Sequence, residues 1–160
     1  MTKGQTLNLY RNLNQLGNLS GVKFAYAVAR NINLLKSEIE SLDKALQPPE
    51  EFMEFEKERI ALVEKYAEKD EKGKPKIEVA GNGAQQYVME ESGNKFQKEF
   101  ETLKGKHKKA VEAREKQIDD YTKLLTTESD FKPHMLKLED LPKEINARQT
   151  SGIYEILLEE

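Results

Sequence analysis

Ala25, Val28, Ile32, Leu35, Ile39, Leu42 and Leu46 follow one another at alternating separations of three and four residues, and Pro48-Pro49 then ends the run. That spacing sets all seven side chains on one face of an α-helix, and three heptads in register create a seam that another helix must cover. Two prolines cannot continue the helix, because proline lacks a backbone donor and drives the residue before it out of the α region. Pro49 suits the opening of a second helix over 50–70, with Phe52, Phe55, Leu62 and Tyr66 inward and Ile60 and Val63 widening the stripe. So short a connection predicts two antiparallel helices.

A third and longer helix is predicted over Asn94–Thr127. Phe96, Phe100, Leu103, His107, Val111, Arg114, Ile118, Tyr121 and Leu125 form a heptad stripe with one extra residue inserted, a stutter that relaxes supercoiling. At 1.5 Å per residue the helix would extend on the order of 50 Å. Between the second and third helices, two short runs of strand formers within about 74–89 flank Ala80-Gly-Asn-Gly-Ala84 and predict a β-hairpin. The charged stretch Glu68 to Lys74 before it reads as a solvated loop. At the N-terminal end, Thr6 to Leu16 predicts a short helix with Leu9, Leu13 and Leu16 on one side, stopped at Gly17-Asn18, and Ser20 is a good N-cap for the next. At the other end Asn146 and Gln149 make a capping-box pattern ahead of a last helix with Ile153, Ile156 and Leu157 inward. The expected fold is mainly all-α, an antiparallel bundle of three long helices with a small β-hairpin and short terminal helices. It is expected as a single domain over 1–160, with a short N-terminal helix in 1–19, a helical core in 20–127 and a C-terminal extension in 128–160.

Charge is distributed unevenly. The first 37 residues hold Lys3, Arg11, Lys23, Arg30 and Lys36 and no acid, where about seven would be expected at the chain average. The remainder carries 21 basic and 29 acidic residues. A basic head on an acidic helical body implies that the head meets something anionic: a ligand, a nucleic acid or the acidic helices of the same protein. With 34% charged residues and a mean hydropathy of −0.79, the chain is polar for a globular protein, yet its apolar residues are too regularly spaced for a disordered one. There is no cysteine, so neither disulfides nor thiol chemistry is open to it. Residues 1–20 lack the apolar core of a signal peptide and no run approaches the roughly 20 apolar residues of a membrane span, so a cytoplasmic location without membrane association is expected.

Several segments together resemble a family of small phage and prophage helical proteins. They are Ala25-Tyr-Ala-Val-Ala-Arg30-Asn31 with Leu35, Glu38 and Glu40, then Arg59 to Tyr66, Lys69 to Lys74, Phe96-Gln-Lys-Glu-Phe100, Leu138 to Pro142 and Ile153 to Leu157. The resemblance implies a viral or prophage setting, hence the host cytoplasm, and lends no activity and no site residue. The helix–hairpin–helix order is also similar in architecture to prefoldin-type chaperone subunits, from which the terminal helices depart. Fold likeness of that kind does not carry function across.

No catalytic signature is present: G-x-S-x-G, Walker-type loops and H-E-x-x-H are all absent, as is the E-x-x-H pair of helical metal sites. His107, on the apolar stripe, reads as a packed or partner-bonded imidazole, and His134 as a loop residue. The chain is expected to be no enzyme, to hold no cofactor and no metal, and not to bind nucleic acid, since five cations over 37 residues are thin for a phosphate track. Lys23, Tyr26, Arg30 and Asn33 recur at 3-4-3 spacing and form a polar stripe beside the seam, with Arg11 on the first helix able to join them. Arg30 can clamp a phosphate with two donors, Lys23 add a point charge, Tyr26 stack on a base and Asn33 read its edge. The competing reading is that the stripe binds carboxylates of the protein itself or of a second copy. Heptad seams without enough cover also predict a homo-oligomer. The functional expectation is a non-enzymatic phage binding protein that sequesters a nucleotide immune signal or occludes a host defence protein; the alternative is an assembly chaperone or minor virion component.

Overall fold

Six α-helices, a two-stranded antiparallel sheet and a parallel pairing of two residues on each side supply the regular structure in the computed structural model, which describes every residue except 80, 82, 84, 90–92, 159 and 160. The described residues form two compact units, Met1–Gln47 with Ile118–Glu160 and, separately, Pro48–Gln117.

In the first unit, α1 (Lys3–Asn14) begins three residues earlier than its apolar pattern suggests, because Thr2 and Gln5 form a reciprocal capping box. The Gln5 N–H donates to Thr2 Oγ1 at 3.2 Å and the Thr2 N–H to Gln5 Oε1 at 2.7 Å. Leu9, Leu13 and Leu16 are buried, as their spacing requires. They pack with α2 (Val22–Leu46), whose buried positions are Phe24, Ala27, Val28, Asn31, Leu35, Ile39 and Leu42. The seam therefore differs from the expected one at both ends: Ala25 and Leu46 are exposed, Ile32 is half-buried and Phe24 takes the first core position. A helix of 3.6 residues per turn drifts about 20° per heptad against a 3.5 repeat, so the buried lane moves across the helix surface, and burying Phe24 instead of Ala25 gains about 2 kcal/mol of apolar transfer. Ser20 does not cap α2. The N-cap is Gly21 at φ 114°, and Ser20 Oγ instead donates to Glu144 at 2.6 Å. A φ of that kind is open to glycine at little cost and strained for other residues.

The C-terminal segment completes this core. α5 (Lys108–Leu125) begins in the second unit and ends in the first. Beyond it, residues 128–140 run as a strap antiparallel to α2. Ser129 Oγ donates to Glu38 at 2.6 Å, the His134 backbone meets Asn31, and Lys23 reaches Asp140 at 2.8 Å. Those three helix positions are separated by about two turns each, so they share the face that the strap follows. The strap leads into β3 (Leu136–Lys137), which pairs in parallel with β4 (Leu157–Leu158). α6 (Ala147–Ser151) opens with the Asn146–Gln149 capping box. Ile153, Ile156 and Leu157 are buried as expected, but not in a continuous last helix: Ile153 precedes a 3-10 turn over Tyr154–Ile156 that holds Ile156, and Leu157 belongs to β4.

In the second unit, α3 (Glu50–Tyr66) is shorter than the expected 50–70 and ends at Ala67. Asp70 then closes a tight turn, its Oδ1 accepting from the N–H groups of Lys72 and Lys74, and the Lys69–Pro75 bridge leads into the hairpin of β1 (Ile77–Val79) and β2 (Gln85–Tyr87). Ile77 faces Tyr87 and Val79 faces Gln85. Of the five-residue turn between them, only Gly81 and Gly83 lie within the described residues. α4 (Gly93–Lys106) runs back antiparallel to α3: Tyr66 meets Phe96, Lys65 meets Glu99 and Glu58 meets Lys106. The single helix expected over 94–127 is thus two, interrupted at His107, where the stutter falls and two residues after Gly105. The hydrogen bonds from His107 N–H to Leu103 and from Val111 N–H to His107, both 3.1 Å, still carry the chain past the interruption. The most extensive helix packing within each unit is α1 on α2 and α3 on α4, with Tyr121, Leu124 and Leu125 of α5 against the first core and Arg114 over the Phe52 ring in the second unit.

Asn31 is fully buried and donates to the carbonyls of Ala27 and His134, at 2.9 and 2.8 Å, while its Oδ1 accepts from the His134 N–H at 2.8 Å. Replacing it with alanine removes both partners of the His134 peptide groups, so Asn31→Ala is expected to lower stability by roughly 1–3 kcal/mol, read from the midpoint of chemical denaturation.

Candidate functional site

The polar stripe of α2 is only partly free. Lys23 is exposed but tied to Asp140, and that carboxylate, by hydrogen bond and then by charge, raises the lysine pKa above its ordinary value. Tyr26, 54% exposed, lies edge-on to the His134 ring at 5.5 Å. Arg30 Nη1 donates to the Tyr26 hydroxyl at 2.7 Å, with the guanidinium carbon 5.9 Å from the ring centroid, within cation–π range. Among the described residues no carboxylate lies within ion-pair distance of Arg30. Asn33 is exposed one turn further on, and Arg11 is exposed on α1 without a contact that joins it to the other four. The structure therefore brings Tyr26, Arg30 and His134 together, holds Lys23 apart on Asp140, and does not bring in Arg11.

The charge of the basic head is largely met inside its own unit. Residues 1–47 carry six Lys or Arg and three acids, a net +3, while residues 118–160 carry five and ten, a net −5. Lys3 approaches Glu38 at 3.9 Å and Lys36 approaches Glu40 at 4.0 Å, so of the five head cations only Arg11 and Arg30 stand outside the described ion pairs. Sequence reasoning misses His134, Asn31 and Asp140. Each acts through a contact more than 100 residues away along the chain, and the one local signal is an asparagine in the lane between Val28 and Leu35.

The other concentration of titratable groups lies in the second unit. Glu58 meets Lys106 at 2.7 Å and His107 Nε2 at 3.1 Å, and the imidazole packs 5.8 Å from Phe55. A carboxylate beside an imidazole supplies two of the three members of a nucleophilic triad, but no hydroxyl is hydrogen-bonded to His107 among the described residues. Seven residues along α3, Lys65 meets Glu99 at 2.8 Å, and Tyr66 donates to the same carboxylate at 2.5 Å. Between the two charged ends lies a groove of about 510 Å³ lined by Ala61, Leu62, Thr102 and Leu103. Among the described residues no group of three or more acidic or histidine side chains is placed to hold a metal, and no helix is long and apolar enough to cross a membrane.

No protein-family model matches the chain, and no curated protein or solved structure is similar to it.

The second unit generates a pH dependence. The hydrogen bond from Lys106, and after it that from His107, holds the Glu58 carboxyl below its ordinary value of 4.5, and those from Lys65 and Tyr66 do the same for Glu99. A carboxyl with a depressed folded pKa contributes stability that is present above its unfolded value and lost as pH falls through the folded one. Helix content followed by circular dichroism is expected to fall on acidification below pH 4.5, and the paired Glu58→Gln and Glu99→Gln variant to show a shallower dependence.

Proposed function

We propose that the chain is a non-enzymatic binding protein that takes a small anionic ligand, a nucleotide phosphate, at Arg30 and Tyr26. The observation that supports this reading is Arg30 itself: an exposed guanidinium oriented by a tyrosine hydroxyl, with no carboxylate in ion-pair distance among the described residues, in a head whose three lysines each face an acid. A guanidinium presents paired donors to a phosphate, and the neighbouring phenol and imidazole offer faces to a base. Lys23, held by Asp140, contributes field but not a free ammonium. In the phage setting that the sequence resembles, such a protein serves as a counter-defence factor in the host cytoplasm, sequestering a nucleotide immune signal or occluding a defence protein.

A second reading, an assembly chaperone or minor virion component, draws on the antiparallel helix–hairpin–helix of the second unit, whose apolar stripe is half-covered. Gene neighbourhood separates the two: capsid and tail genes alongside favour assembly, early accessory genes favour counter-defence.

Calorimetry against cyclic and ADP-ribose-type nucleotides tests the first reading, because a ligand that binds only the folded state raises its stability according to affinity. Arg30→Glu is expected to abolish binding with helix content and melting temperature kept, and Tyr26→Ala to weaken it by about 1–3 kcal/mol if a base stacks on the ring. A wild-type chain that binds none of these anions, with Arg30→Glu lowering the melting temperature, would assign the stripe to structure alone.

A further inference from the structure

The second unit cannot close its own core. The main hydrophobic cluster consists entirely of residues of the first unit, Leu7 through Leu157, whereas the described residues of the second bury only Phe55, Val63, Ala67, Val88 and Val111 among their apolar side chains. α4 has no buried residue, and the stripe residues Leu62, Phe100 and Leu103 are half-buried. Two helices present one seam to each other and leave the flanks of that seam open, and such flanks are ordinarily covered by further helices.

The charges around the open flank specify what covers it. On α3, Glu58 and Lys65 lie seven residues apart, with Ala61 and Leu62 midway between them. On α4, Glu99 and Lys106 also lie seven residues apart, with Thr102 and Leu103 midway. Each helix thus carries one negative and one positive charge placed symmetrically about the middle of the groove. A two-fold axis through that middle lays each helix antiparallel to its own copy. It sets Glu58 opposite the partner's Lys65 and Glu99 opposite the partner's Lys106, each twice, with no like charges facing. Isologous interfaces require this self-complementarity, in which residue i meets j and j meets i. An arbitrary partner would not require it.

We propose that the groove between α3 and α4 is a homodimer interface, in which a second copy of this chain packs its own α3 and α4 across Leu62 and Leu103 to form an antiparallel four-helix arrangement. The occupant follows from the charge pattern and from the deficit of buried apolar surface, independently of any ligand at Arg30. The intrachain pairs Glu58–Lys106 and Lys65–Glu99 at the two ends of the groove become parts of four-charge clusters, each made of two residues from either copy. A lower dielectric at the interface rim deepens the attraction within such clusters, which offsets part of the hydration that the charges lose.

Paired charge swaps in the full-length chain separate the intrachain role of these residues from the interchain one. Glu58→Lys with Lys106→Glu keeps the intrachain pair with its signs exchanged, but sets lysine against the partner's Lys65 and glutamate against the partner's Glu99. Lys65→Glu with Glu99→Lys does the same from the other end. Sedimentation equilibrium is expected to show a wild-type dimer and a self-association at least about tenfold weaker in each double variant, with circular dichroism unchanged. Mixed together, the two variants restore every interchain pair and are expected to form a heterodimer with near wild-type affinity. A wild-type chain that stays monomeric at about 100 μM, a threshold well short of specific-dimer affinities, overturns the proposal. So does a wild-type dimer left intact by both swaps, or two monomeric variants that fail to combine.

Discussion

Asn31 closes three hydrogen bonds inside the protein, and the placement of the C-terminal strap depends on them. Its amide meets both the N–H and the C=O of His134, as the next strand of a sheet would, and spends its second donor on the Ala27 carbonyl one turn back. A buried amide that pairs both peptide groups of one residue fixes register as well as contact, since sliding the strap by a single position would leave four polar groups without partners. That register sets Ser129 against Glu38 and Asp140 against Lys23, the two further ties along α2. It also stands the His134 ring against Tyr26, which in turn holds Arg30. The candidate anion site is thus assembled on α2 by a polar core residue on the neighbouring face of the same helix.

The elements that the sequence makes legible are those whose signals are local. A 3-4 lane from Val28 to Leu42, two prolines at 48 and 49, a capping box at Asn146 and strand formers on either side of Gly81 each act within a few residues, and each appears where its physics puts it. The misreadings have a common origin in long-range contacts. Ser20 has the side chain of an N-cap, but Glu144 offers its hydroxyl a charged acceptor and leaves the start of the helix to Gly21. Phe24 replaces Ala25 in the seam because a large ring gains more from the core than a methyl group does. His107 marks both the stutter and the helix interruption, so the extra residue was visible in the spacing, while its structural outcome depended on Gly105 and on Glu58 across the helix pair. The candidate site was legible to the same degree: Tyr26 and Arg30 stand one turn apart on a helix by sequence alone, whereas His134 reaches Tyr26, and Asp140 reaches Lys23, only through the fold.

The charge asymmetry along the chain has a different meaning in three dimensions. Read linearly, a head of +5 precedes a body of −8. Read by compact unit, residues 1–47 with 118–160 sum to −2 and residues 48–117 to −1, because the fold places the acidic C-terminal segment in the unit of the basic head. A long-range field strong enough to gather polyanions is not what such a distribution provides. What survives folding is local: a guanidinium at Arg30 held by a phenol, and an alternating set of charges around a groove in the second unit.

These two residues of the asymmetry differ in what they can discriminate. Arg30 offers directional donors from a single side chain, so its selectivity must come from the groups beside it, and Tyr26 and His134 are both aromatic. Under the proposed reading, that neighbourhood favours a ligand with a flat face over inorganic phosphate alone. In the proposed dimer the groove charges instead discriminate by arrangement. Glu58, Lys65, Glu99 and Lys106 are all substantially exposed, so each pair is individually weak, and specificity arises only when all of them are matched at once. The first unit thus offers one directional contact beside a closed core, and the second an array of individually weak charges around a groove. Among the described residues the main buried cluster belongs to the first unit, while the apolar stripe of Leu62, Phe100 and Leu103 in the second stays half-buried, so the proposed dimer would supply the cover that the second unit lacks.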